Sequence, residues 1–109
     1  MGTIQKVLAQ SAPAAASLTA AYTVPGATTA VVSSLMICNP SGAVDTIRVS
    51  VAIAGAADAP KQYIYSGVVL PGLNTLAATL GLTLGAGDVV RVYSQNGVCS
   101  FNLFGCETS

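Results

Sequence analysis

Few side chains in this sequence could take part in acid–base chemistry. The chain of 109 residues contains no histidine and only four carboxylic acids. Asp45, Asp58 and Asp88 lie in or beside segments with glycine or proline, and Glu107 is near the end of the sequence. Acid–base catalysis needs groups that converge on one bond, as two carboxylates do in glycosidases, and no spacing here brings two acids together. Carboxylates at turns commonly bind neighbouring backbone amides, so we predict structural roles for them and no enzymatic activity.

Three cysteines, Cys38, Cys99 and Cys106, are the other candidates for chemistry. Protein zinc sites combine cysteine with histidine or use spacings such as C-x-x-C. Neither occurs here, so we predict no metal and no cofactor. A nucleophilic cysteine needs a neighbouring base, and Lys6 and Lys61 are the only candidates.

The same cysteines are candidate disulfide partners. In one continuous strand Cys99 and Cys106 would point to opposite faces, roughly 20 Å apart. They could pair only if the chain turned at Gly105, whereas Cys38 could meet either of them across strands. The odd count leaves one thiol for a neighbouring subunit, or buried and inert.

The elements that carry these residues are predicted to be β-strands. Turn residues recur about every 8–12 positions, a spacing typical of β-sandwiches and barrels, and Asn96-Gly97 predicts a hairpin with a type I′ turn. We predict a single all-β domain, an antiparallel β-sandwich or jelly roll of about eight strands. Residues 75–83 suit a short helix or a strand, and the threonines among them favour a strand. Residues 1–20 are predicted to form a short strand at Ile4–Leu8 followed by an extended N-terminal arm or an edge strand, and residues 21–109 the sandwich.

Two long strands within residues 28–54 carry the clearest pattern. In the second, Ile47, Val49, Val51 and Ile53 alternate with smaller or polar residues, as in a strand with one face in a core. The first is apolar on both faces: Val31, Leu35 and Ile37 on one, and Val32, Met36 and Cys38 on the other. An antiparallel strand that is apolar on both faces is covered on both sides. We predict that one face packs in the core and that the other contacts a second subunit.

The overall composition supports self-association. Charged residues are 7% of the chain and the formal net charge is zero, against about 25% charged residues in an ordinary domain. The mean hydropathy is +0.67. Because large apolar patches on protein surfaces usually mark interaction sites, we predict a homo-oligomer.

Other kinds of partner are disfavoured. The four cationic residues are scattered along the sequence, whereas phosphate binding needs them clustered, so we predict no nucleic-acid partner. No apolar run approaches the ~20 residues of a membrane helix, and Gln10, Ser11 and Pro13 interrupt the candidate signal peptide. Arg48 and Arg91 fall in mid-strand, where they either extend from an outer face or pair with Asp45 and Asp88 at a subunit contact.

Several motifs give the chain a resemblance to a family of small structural proteins of tailed bacteriophages. They are YTVP at 22–25, VVSSLMICN at 31–39, LTLGAGDVVRVYS at 82–94 and SFNLFGCE at 100–107. The resemblance implies an all-β virion component that assembles as a homo-oligomer on the particle exterior after synthesis in the host cytoplasm. Cys99 and Cys106 depart from the commoner apolar or small residues at their positions, which raises the prospect of assembly stiffened by disulfides.

Together, the pattern and the resemblance predict a self-assembling protein that decorates or cements the capsid or sheathes the neck or collar. The alternative is a receptor- or glycan-binding module of a tail fibre or tail tip. The predicted subunit interface comprises Val32, Met36 and Cys38, with Tyr63 and Tyr65 added because an uninterrupted strand would place both tyrosines on one face.

Overall fold

The computed structural model describes residues 2–109 and forms eight β-strands within them, with no α-helix. The strands are β1 (Thr3–Ser11), β2 (Thr19–Thr23), β3 (Thr29–Asn39), β4 (Asp45–Ala52), β5 (Tyr63–Leu70), β6 (Asn74–Leu84), β7 (Val89–Ser94) and β8 (Ser100–Thr108). Two one-turn 3₁₀ segments, Ile53–Gly55 and Pro60–Gln62, lie between β4 and β5. Within residues 2–109 no helix is long and apolar enough to cross a membrane.

The strands form two four-stranded sheets. The first sheet has the order β1-β8-β3-β6 and the second the order β2-β7-β4-β5, and all pairings are antiparallel. Every connection except that from β4 to β5 crosses from one sheet to the other. This is the eight-stranded jelly-roll form of a β-sandwich, so the predicted fold class is confirmed.

The core lies between the two sheets. Alternate residues of the central strands point inward, and the largest of them are completely buried. Those from the first sheet are Leu35, Ile37, Phe101 and Leu103, and those from the second are Ile47, Val49, Val90 and Val92. Residues 75–83, for which a helix was the alternative, lie within β6.

The N-terminal segment forms a longer strand than the predicted Ile4–Leu8, and less of it extends as an arm. Residues 3–11 form β1, which pairs with β8 along its whole length, and Leu8 is buried in the core. The next strand already begins at Thr19. Between residues 3 and 23, only the connection at residues 12–18 lies outside the sheets. The reason is that the apolar residues on one side of β1 and β2 pack against the core of the same sandwich.

An extra residue in β3 changes which side chains face the core. Pairing with both β6 and β8 shifts between Val32 and Ser34, and such a bulge exchanges the two faces of the strand. Val32 is therefore fully buried beside Leu35 and Ile37, and Val31 is half-buried on the other side. The prediction that Val32 contacts another subunit, with Val31 in the core, is corrected by this bulge.

The second half of β4 also departs from simple alternation. Ile47 and Val49 are buried as predicted, but the strand ends at Ala52 and Ile53 is 77% exposed. Ser50 and Ala52, on the opposite face, are fully buried. The 3₁₀ segments after β4 pack back against β4 and β7, which accounts for burial on both faces.

The Asn96-Gly97 pair does not form the predicted hairpin. β7 belongs to the second sheet and β8 to the first, so this turn crosses between sheets. Of the two residues, only Gly97 has a positive φ (70°), whereas a type I′ turn requires it of both. The Asn96 backbone amide donates a hydrogen bond to the Asp45 carboxylate instead, and this tertiary contact decides the turn geometry.

Gly105→Ala should destabilise the fold severely. Gly105 lies in β8 opposite Val32, and an added Cβ would overlap the Val31 carbonyl oxygen, a backbone atom that cannot swing away. We expect a loss of about 3 kcal/mol or more, at the upper end of the cost of overpacking, measured by urea unfolding. Gly26→Ala, where no atom lies within 4 Å of the added Cβ, is the control. Equal unfolding midpoints would contradict the close β8–β3 approach.

Candidate subunit interface

The outer face of the first sheet, the side turned away from the second sheet, carries a group of partly exposed apolar side chains. The register places Val7 beside Phe104 and Cys106 beside Val31. Further along β3, two more side chains, Met36 and Cys38, point to the same side. The apolar members of this outer face are Val7, Val31, Met36, Cys38, Phe104 and Cys106.

None of the eight charged side chains lies on this outer face. Lys6 and Glu107 alternate with outward residues and turn toward the second sheet, where the Tyr22 hydroxyl contacts Glu107. The polar residues of the outer face are neutral, as in the Gln10–Asn102 side-chain hydrogen bond of 2.8 Å. Protein interfaces are depleted of charge at their centres, so the composition of this face suits contact with another protein.

A shallow depression crosses the outer face between β1 and β3. Its volume is about 550 Å³, and its lining includes Val7, Ser33, Phe104 and Cys106, together with Lys6, whose ammonium pairs with Glu107. The depression lies where β3 bulges at Ser33, whose hydroxyl donates to the Phe104 carbonyl oxygen at 3.1 Å. The bulge therefore gives this otherwise regular face a concave region.

Two of the five predicted interface residues lie on the outer face of the first sheet. Met36 is 38% exposed and Cys38 is half-buried there, whereas Val32 lies in the core. The structure thus brings Met36 and Cys38 together with Val7 and Phe104. Sequence reasoning did not include Val7 and Phe104, because the pairing of β1 with β8 and of β8 with β3 joins segments that are distant in sequence.

The two predicted tyrosines do not share a face. Tyr63 pairs with Ser50 and Tyr65 with Val49, so Ile64 is an extra residue in β5. Tyr65 consequently packs against the core, and Tyr63 lies on the outer side of the second sheet, where its hydroxyl donates to Asp58 at 3.2 Å. The prediction that they form one contact surface fails because the bulge reverses the alternation.

The outer side of the second sheet differs in charge from that of the first. The Arg48 guanidinium lies 4.4 Å from the centre of the Tyr93 ring, a cation–π contact. Arg91 donates to the Gly55 carbonyl oxygen at 3.2 Å. Both arginines thus extend over the outer face, and Asp45 and Asp88 bind groups of their own chain instead.

The buried Asp45 carboxylate is the centre of a hydrogen-bond network between the start of β4 and the β7–β8 turn. It is 1% exposed and accepts hydrogen bonds from the backbone amides of Thr46 (2.8 Å) and Asn96 (3.0 Å). It also accepts from the Ser94 hydroxyl and from the Cys99 thiol at 3.2 Å. Burial raises the pKa of a carboxyl group, but these four donors outweigh it and hold the pKa of Asp45 below its usual value.

Cys99 serves this network as a neutral donor. Burial, followed by the adjacent Asp45 carboxylate, raises the pKa of the Cys99 thiol to about 12. A nucleophilic cysteine has a lowered pKa and is accessible, and Cys99 has neither property. Its role is to satisfy Asp45.

A second cluster closes the open side between β1 and β2. The Tyr22 hydroxyl donates to Glu107 at 2.5 Å and the Lys6 ammonium pairs with the same carboxylate at 3.2 Å. The hydrogen bond from Tyr22, followed by the contact with Lys6, lowers the pKa of Glu107. Burial, followed by the adjacent Glu107 carboxylate, raises the pKa of the Tyr22 hydroxyl. Among the described residues no three metal-binding side chains come together.

Asp45→Asn should destabilise the protein by about 3 kcal/mol. Both carboxylate oxygens accept hydrogen bonds, and the amide nitrogen that replaces one of them cannot accept, so buried donors lose their partner. Since the folded pKa of Asp45 lies below the unfolded value of about 3.9, its contribution is present above that pH and is lost as the pH falls below it. The free energy of unfolding, measured with urea from pH 7 to pH 2, should decrease less toward acid pH in Asp45→Asn than in the wild type. Asp58→Asn, at an exposed acid, is the control. An equal decrease in Asp45→Asn and in the wild type would contradict this role of Asp45.

Two of the three thiols should react with a thiol reagent in folded protein that is dissociated by dilution. Cys38 and Cys106 are half-buried on the outer face, whereas Cys99 is fully buried and should react only after unfolding. Rapid labelling of all three thiols would contradict this placement.

Cys99 should also make the stability depend on pH in the alkaline range. Its pKa is raised to about 12 in the folded state, from about 8.5 in the unfolded chain. The contribution of the neutral thiol to the free energy of unfolding is therefore fully present below about pH 8.5 and decreases as the pH rises above it. In Cys99→Ala, the free energy of unfolding should decrease less over this alkaline range.

Comparison with models of known protein families and with curated protein sequences gave no match to this chain. The resemblance to tailed-phage structural proteins therefore stays a prediction from the motifs. What the chain does must be argued from the fold and from its outer face.

Proposed function

We propose that this chain is a virion structural protein of a tailed bacteriophage. In this proposal it self-assembles on the particle exterior as a homo-oligomer, with a trimer as the expected form, and decorates or cements the capsid or sheathes the neck or collar. The observation that carries self-assembly is the outer face of the first sheet, a broad four-stranded surface with no charged side chain and several partly exposed apolar ones.

The physical reason is the cost of leaving that face in water. A monomer normally covers its outer sheet faces with charged and polar side chains, and large exposed apolar patches mark interaction sites. Here the polar cover consists of neutral serine, threonine, asparagine and glutamine. A neutral face can meet a second copy of itself without bringing like charges together.

The fold supports the virion assignment by analogy. Jelly rolls occur in viral capsid proteins and also in lectins and cupins, and fold alone does not determine function. The motif resemblance favours the virion among these. The receptor- or glycan-binding alternative has less support, because every aromatic side chain in residues 2–109 is buried or half-buried, whereas an exposed aromatic platform would suit a sugar.

Met36→Lys should weaken self-association, because it places a charge at the centre of the outer face, where desolvation opposes contact. Ile53→Lys is the control, at a 77% exposed side chain in the 3₁₀ segment after β4. We expect sedimentation velocity to show an oligomer for the wild type and for Ile53→Lys, and dissociation for Met36→Lys. Wild-type protein that stays monomeric at all concentrations would refute self-assembly.

Immunogold labelling of purified phage particles tests the location separately. Labelling on the capsid, neck or collar is the expected result. An oligomer that is absent from purified particles would refute the virion role and leave self-assembly intact.

A further inference from the structure

The outer edge of β6 is the least protected of the four strand edges in the described part of the chain. The first sheet ends at β1 and β6, and the second at β2 and β5. An edge strand exposes unpaired backbone N–H and C=O groups, and natural proteins protect such edges with charges, proline, bulges or short strands.

The other three edges carry such devices. β1 has Lys6 near its middle and a bulge at Leu8. β2 has five residues and an irregularity at Ala21. β5 is interrupted twice, at Ile64 and at Gly67, whose φ is 70°.

β6 lacks them over most of its length. It has eleven residues, with no charge and no proline. Residues 74–79 pair with β3 without interruption, and the only irregularity follows them, around Gly81. Within this segment Thr75, Ala77 and Thr79 are exposed, and the residues between them are half-buried. The segment is a regular, neutral strand with one backbone edge unpaired by any other strand of the described chain.

We propose that residues 75–79 of β6 pair antiparallel with the same residues of a second copy about a two-fold axis at Ala77, so that Thr75 of one copy faces Thr79 of the other and two first sheets join into one eight-stranded sheet. This inference rests on the proposed self-assembly and names one of its contacts. Five residues on each strand make about four to six backbone hydrogen bonds in an antiparallel ladder, the mode by which edge strands recruit partners.

A second copy is the occupant that the charges favour. In an antiparallel two-fold contact a strand meets itself, and like charges directly opposite each other are destabilising. β6 has no charge to repel its copy. β1 would bring two Lys6 side chains near each other, and β5 lies beside Arg48, which faces Ser66.

The area of the outer face also favours a contact between two copies through β6. Four strands spaced ~4.8 Å apart, with about nine residues each at ~3.3 Å, give a face of roughly 600 Å². This is less than the ~800 Å² that each partner contributes to a standard interface. Joining two first sheets through β6 makes the neutral face continuous and roughly doubles it. In a trimer, the two-fold β6 contact would link one oligomer to the next.

Charge reversal tests this pairing. Thr75→Lys/Thr79→Lys places two cations at exposed positions of β6, and Thr75→Glu/Thr79→Glu places two anions there. Each variant alone should halve the mass of the largest assembly in sedimentation velocity and weaken its association about tenfold or more, because like charges face each other. Mixing the two variants should restore the wild-type mass.

The matched control adds two lysines to the edge strand of the second sheet. Ile64→Lys/Val69→Lys replaces side chains that are 41% and 62% exposed on β5, and its assembly mass should equal that of the wild type. In the wild type, backbone amides of residues 75–79 that exchange rapidly with deuterium at dilution should become protected in the assembly.

The outcomes separate the two proposals. Unchanged mass for both β6 variants, dissociation that mixing does not reverse, or wild-type assembly without protection of these amides overturns the β6 contact and leaves self-assembly standing. Protection of these amides only in the presence of a different virion protein overturns the second copy as occupant. A wild-type protein that is monomeric at every concentration overturns both proposals.

Discussion

The buried carboxylate of Asp45 is the constraint on which the arrangement of the sandwich depends. It stands at the start of β4 in the second sheet and binds Ser94, Asn96 and Cys99, which form the passage from β7 back to the first sheet. A buried charge is tolerated only when its hydrogen-bonding capacity is satisfied. Four donors from two chain segments do this, and they position the β7–β8 turn with its glycine at positive φ. One ionised group thus connects two sheets whose other contacts are mainly apolar.

Bulges then decide which side chains each sheet presents. One extra residue at Ser33 turns Val32 into the core and Val31 outward, and another at Ile64 separates Tyr63 from Tyr65. A one-residue shift exchanges both faces of everything that precedes it. The neutral outer face is the combined product of alternation in four strands and of these interruptions. The same distinction between regular and interrupted strands leaves β6 as the open edge.

The proposed function follows from where charge is absent. Most of the charged groups contact their own chain: Asp45 and Asp88 bind backbone amides, Lys6 and Glu107 pair, and Arg48 stacks on Tyr93. Asp58 and Lys61 lie in the connection from β4 to β5, so no charged side chain lies on the outer face of the first sheet. Under the proposed function, the neutral face and the unprotected edge would supply two kinds of contact, face to face and edge to edge. A repeating assembly on a particle needs contacts of more than one kind.

The fold class, most strand positions, the scarcity of charged residues and the backbone-binding roles of Asp45 and Asp88 followed from the sequence alone. Composition, period-two alternation and turn residues are local properties, so they can be read without knowing any neighbour. The three-dimensional contacts were needed to show that Asn96-Gly97 crosses between sheets, that residues 3–11 pair with β8 along their length and that Val32 is buried. Each of these depends on a partner distant in sequence: Asp45 for the turn, β8 for β1, and β6 with β8 for the bulge at Ser33. A bulge leaves no mark in local composition, because it arises when two ladders must be satisfied at once.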